Sequence, residues 1–359
     1  MAIVASIMLF FPLFFIIQGP LSKAAQAKPS KDPVKISIIA GGDVMFGRLR
    51  GEKLAHFGYN QPFRHVRHLF RGHDIVTMNL ETPITSKVHY KRKGSSLLFR
   101  AKPKAAEIIK DAGFNLVITA NNHSHDQLDI GINETIDYLR KQGLPWAGTG
   151  RTSNEAWKPY IFEKHGVKVG ILALTRLNNY TFPGQKGHYA HLIRQRVRKD
   201  LPPKVKALSE KVDFTVVVLH WGVEYKHETI GRERRLISLL EKAGCDLFIG
   251  HHPHVLRGIQ KLNGMVAFYS LGNFLFDSVH GVRAEAGLAR AVFEKKGNKK
   301  RLTDAEFIPL LLAGSSKLPK PAKGARATQI NKKVIRYSRV FRKSTKFQIS
   351  GDKLQVVLP

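Results

Sequence analysis

An α/β fold with largely parallel, buried sheets is expected from three features of this 359-residue sequence. Apolar, β-branched runs alternate with segments of helical periodicity, which is the pattern of βαβ units. The runs stop abruptly, at Gly41-Gly42, Asn121-Asn122, His220 or Gly250. The side chains at those stops are acids, amides and imidazoles. In parallel sheets that is where ligands bind, beyond the carboxyl ends of the strands.

Met1 to Ile17 is apolar except for Ser6, and Ala25-Gln26-Ala27 offers a small-x-small cleavage sequence before Lys28. Residues 1–27 therefore predict a signal peptide or an uncleaved N-terminal anchor. The apolar run is short against the roughly 20 residues of a spanning helix. Residues 28–35, with Pro29 and Pro33, read as a linker, and a main domain is expected over 36–290.

Ile36–Ala40 is the first strand and leads to Asp43. Asp74–Met78 is the second and runs into Asn79-Leu80-Glu81. From Lys104, Ala105, Ile108, Ile109 and Ala112 share a helical face, with Gly113 as the stop. Asn115–Ala120 is a strand ending in Asn121-Asn122-His123, followed by a helix with Ile132, Ile136 and Leu139 on one side. The second half repeats this grammar. Lys168–Leu174 and Thr215–Leu219 are strands, the latter ending in His220-Trp221-Gly222. A basic helix is expected over Arg232–Ala243, then a strand Leu247–Ile249, then another over Met265–Tyr269. Leu288–Leu312 predicts a hairpin turned at Lys295–Arg301. Residues 314–333, rich in Gly, Ser, Pro, Ala and Lys, read as a loop, and 291–359 are expected to form a small basic C-terminal annex.

Lys and Arg number 59 against 27 Asp and Glu, a formal charge of +32. Such a field favours a polyanionic partner and says nothing of fold. With an export signal, nucleic acid is not the expected partner; an anionic envelope polymer or a membrane surface is. The one cysteine, Cys245, precedes an apolar run and reads as a small core thiol, so no intramolecular disulfide is available.

Gly250-His251-His252-Pro253-His254 concentrates three imidazoles after a strand. Taken with Asp43, Glu81, Asn122 and His220 at other strand ends, His252 and His254 complete a donor set of carboxylate, amide and imidazole. That chemistry suits one or two divalent ions such as Mn, Fe or Zn. Glu81 is the candidate bridge between ions roughly 3.5–4 Å apart. His123 is placed to act as general acid or to hold a substrate oxyanion, and Asp126 to orient an imidazole. Arg48 and Arg100 are candidates for binding an anionic substrate, the alternative being ordinary surface arginines.

Six runs occur in order: Gly42-Asp43-Val44-Met45, Asn79-Leu80-Glu81-Thr82-Pro83, Ala120-Asn121-Asn122-His123-Ser124, His220-Trp221-Gly222, Gly250–His254 and Ser270-Leu271-Gly272-Asn273-Phe274. Together they closely resemble the CapA/PgsA family of poly-γ-glutamate capsule synthesis proteins, over about residues 36–290. That family is similar in fold to the calcineurin-like metallophosphoesterases, which implies a metallophosphatase-like αββα sandwich. The resemblance also implies metal ligands at Asp43, Glu81, Asn122, His220, His252 and His254. Met45 stands where the wider superfamily has a histidine, and Glu81 where it has a bridging Asp. The implied role is synthesis, export or attachment of an anionic capsule polymer such as poly-γ-glutamate, with a membrane or capsule synthase complex as partner. The alternatives are a metal-dependent hydrolase (phosphoesterase or amidase) acting on an envelope polymer, and a non-catalytic polyanion-binding subunit.

Overall fold

The computed structural model describes residues 32–48, 51, 62–90, 97–179, 189, 191, 196–277, 279–313 and 317–358. The expected signal or anchor, the first half of the linker, and Lys91-Arg92-Lys93 lie outside these residues.

In chain order, the first half contributes β1 (Val34–Val44), β2 (Ile75–Leu80), α1 (Lys104–Asp111), β3 (Leu116–Ile118), α2 (Leu128–Lys141), β4 (Trp146–Ala147) and α3 (Ser153–Ala156). The middle contributes β5 (Tyr160–Lys164), β6 (Val167–Thr175), α4 (Val197–Ser209), β7 (Phe214–His220), α5 (Gly231–Lys242) and β8 (Leu247–His251). There follow β9 (Ile259–Leu262), β10 (Met265–Phe268), β11 (Asn273–Leu275), β12 (Glu285–Lys296) and β13 (Lys299–Ala313). The chain closes with β14 (Leu318–Pro321), α6 (Gly324–Tyr337), β15 (Phe347–Ser350) and β16 (Lys353–Val356).

These strands form two sheets. The first runs β15-β16-β13-β12-β1-β2-β3-β4, with β11 beside β1 and β14 beside β13; the second runs β5-β6-β7-β8-β10-β9. Within the first, β1 to β4 are mutually parallel, and within the second, β6, β7, β8 and β10 are.

The layering follows from the two-residue period of a strand. Ile36, Ile38 and Ala40 of β1, and Phe214, Val216 and Val218 of β7, bury in one shared core between the sheets. The intervening residues face outward. Ile39 and Val44 of β1 pack with Ala105, Ile108 and Ile109 of α1. Val217 and Leu219 of β7 pack with Leu201 and Val205 of α4 and with Leu236, Ile237 and Leu240 of α5. Both faces of each central strand are thus apolar, and full burial of each Val or Ile contributes roughly 1.5–3 kcal/mol. The result is the expected α/β/β/α sandwich.

Two stretches differ from expectation. The 290/291 boundary falls inside β12, whose residues 289–295 pair with β1 along its length. Beyond it, α6 replaces the expected loop. Its Ala327, Ile330 and Val334, with Leu354 and Val356 of β16, bury in the core between the sheets. The C-terminal segment therefore completes that core instead of hanging from it. It also covers the edge strand β9: Ile259 N–H donates to Ser338 Oγ (2.8 Å) and Lys261 N–H to Thr345 Oγ1 (2.9 Å). An exposed edge would otherwise offer those groups to another chain. The other difference is α4, where no element was expected and where Pro202 and Pro203 sit inside the helix. Cys245 is a buried core thiol whose Sγ donates to Leu247 O at 3.2 Å. No helix among the described residues is long and apolar enough to cross a membrane.

Candidate metal centre

The carboxyl ends of the parallel strands of both sheets meet at one place. Asp43 lies at the end of β1, Glu81 immediately after β2, and Asn122 and His123 in the turn after β3. From the other sheet, His220 ends β7, His251 ends β8, and His252 and His254 follow it. The approach is close enough to demand glycine. A Cβ on Gly42 would stand 2.0 Å from Gly272 O, and one on Gly250 would stand 2.2 Å from Tyr269 O. His252 and His254 adopt φ of 97° and 57°. Non-glycine residues rarely hold this left-handed backbone, and it marks sites where geometry outranks local strain.

Asn79 is the hub. Its Nδ2 donates to Asp43 Oδ1 (2.9 Å), is 3.4 Å from Glu81 Oε2 and 3.4 Å from His220 Nδ1. Its Oδ1 accepts from Asn121 Nδ2 at 3.1 Å. Asp43 Oδ2 accepts from His252 N–H at 3.2 Å and is 3.3 Å from His254 Nδ1, while Oδ1 is 3.1 Å from His251 Nδ1. Glu81 Oε1 stands 3.7 Å from both His220 Nε2 and His254 Nε2. His220 Nε2 lies 2.7 Å from Asn122 Oδ1. Three groups of donor atoms close enough to share an ion emerge: Asp43, Glu81 and His254; Glu81, His220 and His252; Glu224, His252 and His254.

The electrostatics suit a cation. Asp43 and Glu81 are fully buried, and among the described residues neither forms an ion pair with Lys or Arg. Burial pushes the Asp43 carboxyl up, but hydrogen bonds and charge from His251 and His254 outweigh it and hold it well below the usual carboxylate range. Burial, reinforced by the charges of Asp43, Glu224 and Asp126, lifts Glu81 well above that range. Burial and the neighbouring His254 push His252 down to about 3, and burial with His252 holds His220 well below its usual value. Neutral imidazoles keep the lone pair a metal needs. Buried Glu81 Oε1 and His252 Nδ1 have no hydrogen-bond partner. Orphaned donors on two buried side chains, facing shared space with a second carboxylate, fit a divalent ion.

Above the cluster opens a cavity of about 420 Å³, lined by Arg48, Phe99, Asn122, His123, Glu224, His254 and Arg283 among others. His123 Nδ1 is 2.7 Å from Asp126 Oδ2, and its ring stacks on Phe99 at 3.9 Å. Asp126 also accepts from Phe99 N–H at 2.6 Å; burial raises its pKa, with His123 opposing the rise. Arg48 lines the cavity, its Nε 4.0 Å from Asp277 Oδ2. Arg100 does not: its Nη1 donates to Thr85 O at 3.4 Å, away from the lining residues. Arg283 takes a place on the cavity wall that sequence reasoning had not assigned.

Also missed were Asn79, Asn179, Glu224 and Asn273. Asn179 Oδ1 accepts from Asn122 Nδ2 at 2.8 Å, and Asn273 Oδ1 is 3.0 Å from His254 Nδ1. Asn79 and Asn273 sat inside runs already singled out, and Glu224 two residues beyond one, so position was the available signal. Asn179 had none. His251, which belongs to none of these donor groups, ends β8 with its Nδ1 3.1 Å from Asp43 Oδ1.

Residues 37–278 match the family described as Bacterial capsule synthesis protein PGA_cap. The PGA biosynthesis protein CapA of Bacillus subtilis is 30% identical over 293 residues, 80% of this chain and 76% of its own. The capsule biosynthesis protein CapA of Bacillus anthracis is 28% identical over 339 residues, 90% of this chain and 78% of its own. Among solved structures, the calcineurin-like phosphoesterase YfkN from Bacillus subtilis aligns with a TM-score of 0.43 at 16% identity, covering 85% of this chain and 98% of its own.

Proposed function

Because this chain belongs to the bacterial capsule synthesis protein PGA_cap family, we propose that it serves the synthesis, export or attachment of an anionic envelope polymer of the poly-γ-glutamate kind. In this reading it works at the outer face of the membrane, delivered there by residues 1–27, in company with a polymer synthase complex. Asp43, Glu81, Asn122, His220, His252 and His254 would hold one or two divalent ions of the Mn, Fe or Zn kind. The observation that carries the reading is the burial of Asp43 and Glu81 with imidazoles and, among the described residues, no Lys or Arg counter-ion. Stripped of water, such carboxylates cost several kcal/mol each unless a cation balances them.

When bound, the ions supply Lewis acidity toward a carbonyl or phosphoryl oxygen. The rest belongs to the chain. Asn79 fixes the Asp43 and Glu81 carboxylates through its amide. Arg48 and Arg283 put guanidinium groups on the cavity wall for an anionic chain, beside the carboxylates of Glu224 and Asp277. Asp126 takes the Nδ1 side of His123, so Nε2 faces the other way, toward Asn179 Nδ2 at 3.3 Å. With Asn179 displaced by substrate, it can pass a proton to a leaving group when the imidazole is charged. That buried pair on the cavity wall favours hydrolysis of a polymer bond over passive binding.

The test is metal analysis of the purified chain, with hydrolysis of bis(p-nitrophenyl) phosphate and of poly-γ-glutamate measured with and without Mn²⁺. Turnover of either that fails in His252→Ala supports the hydrolase. A metal-loaded protein that binds poly-γ-glutamate but cleaves neither sinks the hydrolase and leaves a binding subunit. Fusing residues 1–27 to a reporter active only outside the cytoplasm tests export.

A further inference from the structure

The two donor groups that share Glu81 are not equally furnished. Beside Glu81, His220 and His252 stands Asn122, whose Oδ1 is 2.7 Å from His220 Nε2, which makes four donors. The group of Asp43, Glu81 and His254 has three. Met45, which follows Asp43 by two residues, offers it nothing: its side chain is buried and its Sδ accepts Gly47 N–H at 3.1 Å. Divalent ions of this class take at least four donors.

Glu224 stands on the cavity side of His254, the imidazole of that group. One of its carboxylate oxygens lies within 4.8 Å of donor atoms of both His252 and His254. The loop that carries it is fastened to the histidine turn by backbone. Trp221 N–H donates to His251 O (3.0 Å) and Tyr225 N–H to Pro253 O (2.8 Å). Glu224 therefore sits between two anchors that follow the same turn as the imidazoles. Independently, His252, a residue of this group, is only 7% exposed and its buried Nδ1 has no hydrogen-bond partner.

We propose that Glu224 is a metal ligand, holding an ion together with His252 and His254 on the solvent side of the buried carboxylates. The inference rests on the metal-site reading above and adds a ligand to it. A carboxylate in place of a further imidazole makes the position harder and more oxygen-rich, which favours Mn²⁺ over Zn²⁺.

The experiment titrates the metal-stripped full chain with MnCl2 and with ZnCl2 by calorimetry, comparing wild type with Glu224→Gln, Glu224→His and Glu228→Gln. Glu228 is an exposed carboxylate of the same loop and controls for bulk charge. Wild type is expected to bind two equivalents of Mn²⁺. Glu224→Gln should keep one and weaken the other at least tenfold, with the melting temperature of the metal-free protein unchanged. Glu224→His should retain both equivalents and shift the weaker one toward Zn²⁺. If Glu224→Gln binds two equivalents with wild-type affinity, or Glu228→Gln loses as much, Glu224 is not a ligand and the metal site stands without it. If wild type binds no metal, the site reading itself fails, and Glu224 falls with it.

Discussion

Asn79 shows how much one uncharged side chain can settle. It reaches the Asp43 carboxylate and lies close to Glu81 and His220, and it is itself held by Asn121. Asn79→Leu keeps the volume and removes the donor, so two buried carboxylates lose their common anchor. We expect a stability loss of about 1–3 kcal/mol by urea denaturation. Mn²⁺ affinity should fall about 10–100-fold, as when groups orienting a ligand are removed. Unchanged affinity would show that Asn79 only fills space. Away from the site, Asp246 gives a pH signature. Burial pushes its carboxyl up to about 6, against the hydrogen bond it accepts from Thr215 N–H and the charge of Lys300. The folded protein thus holds a proton that the unfolded chain releases near pH 4. Stability present at low pH is lost as pH rises from about 4 through 6, by up to about 3 kcal/mol. Asp246→Asn should remove that loss, flattening the melting temperature between pH 4 and 7; an unaltered slope refutes it.

At the scale of elements, what matters is how the loop after β7 is held. Arg257, just past the histidine turn, pairs with Glu233 of α5 at 2.6 Å and donates to Glu228 O, and both charged side chains are buried. One arginine thereby locks the Glu224-bearing loop and α5 to the segment carrying His252 and His254. Removing one partner leaves a buried charge, which typically costs about 3–5 kcal/mol. Arg257→Leu should cost that much in chemical denaturation, and the double change with Glu233→Leu should recover part of it. A single variant as stable as wild type would mean that water already satisfies the pair. The helices also show where periodicity is a better guide than composition. Val197, Leu201, Val205 and Leu208 of α4 are spaced as one buried face, although Pro202-Pro203 reads locally as a breaker. In α6, the Gly, Ala and Lys around Ile330 look like a linker. The helix forms because Ala327, Ile330 and Val334 have the inter-sheet core to bury against.

Over the whole molecule the excess of +32 is unevenly spread. Between Glu306 and Asp352 there is no carboxylate side chain, yet Arg336, Arg339, Arg342, Lys343 and Lys346 follow one another closely. They occupy the end of α6 and the turns beyond it, beside the covered edge of β9. Attraction of a polyanion to such a face is screened within about 10 Å at ~0.1 M salt. Binding of poly-γ-glutamate should therefore weaken at least about tenfold between ~50 and ~500 mM NaCl. Replacing those five residues with Gln should do the same at low salt while Mn²⁺ binding is unchanged. Salt-insensitive binding would place recognition elsewhere.

The sequence by itself determined the α/β alternation, the apolar strands buried on both faces, and the strand-end positions of Asp43, Glu81, Asn122, His220, His252 and His254. These were legible because strand period, glycine stops and donor chemistry are local properties of the chain. Tertiary structure alone decided which donors stand close enough together to share an ion. Asp43 and His254 are far apart in sequence, and whether their atoms come within 3.3 Å depends on how the two sheets stack. It also decided that Arg100 turns away while Arg283 and Glu224 turn in, and that the last helix belongs to the core. Each of those outcomes rests on contacts between distant segments, whose partners no local pattern of residues specifies.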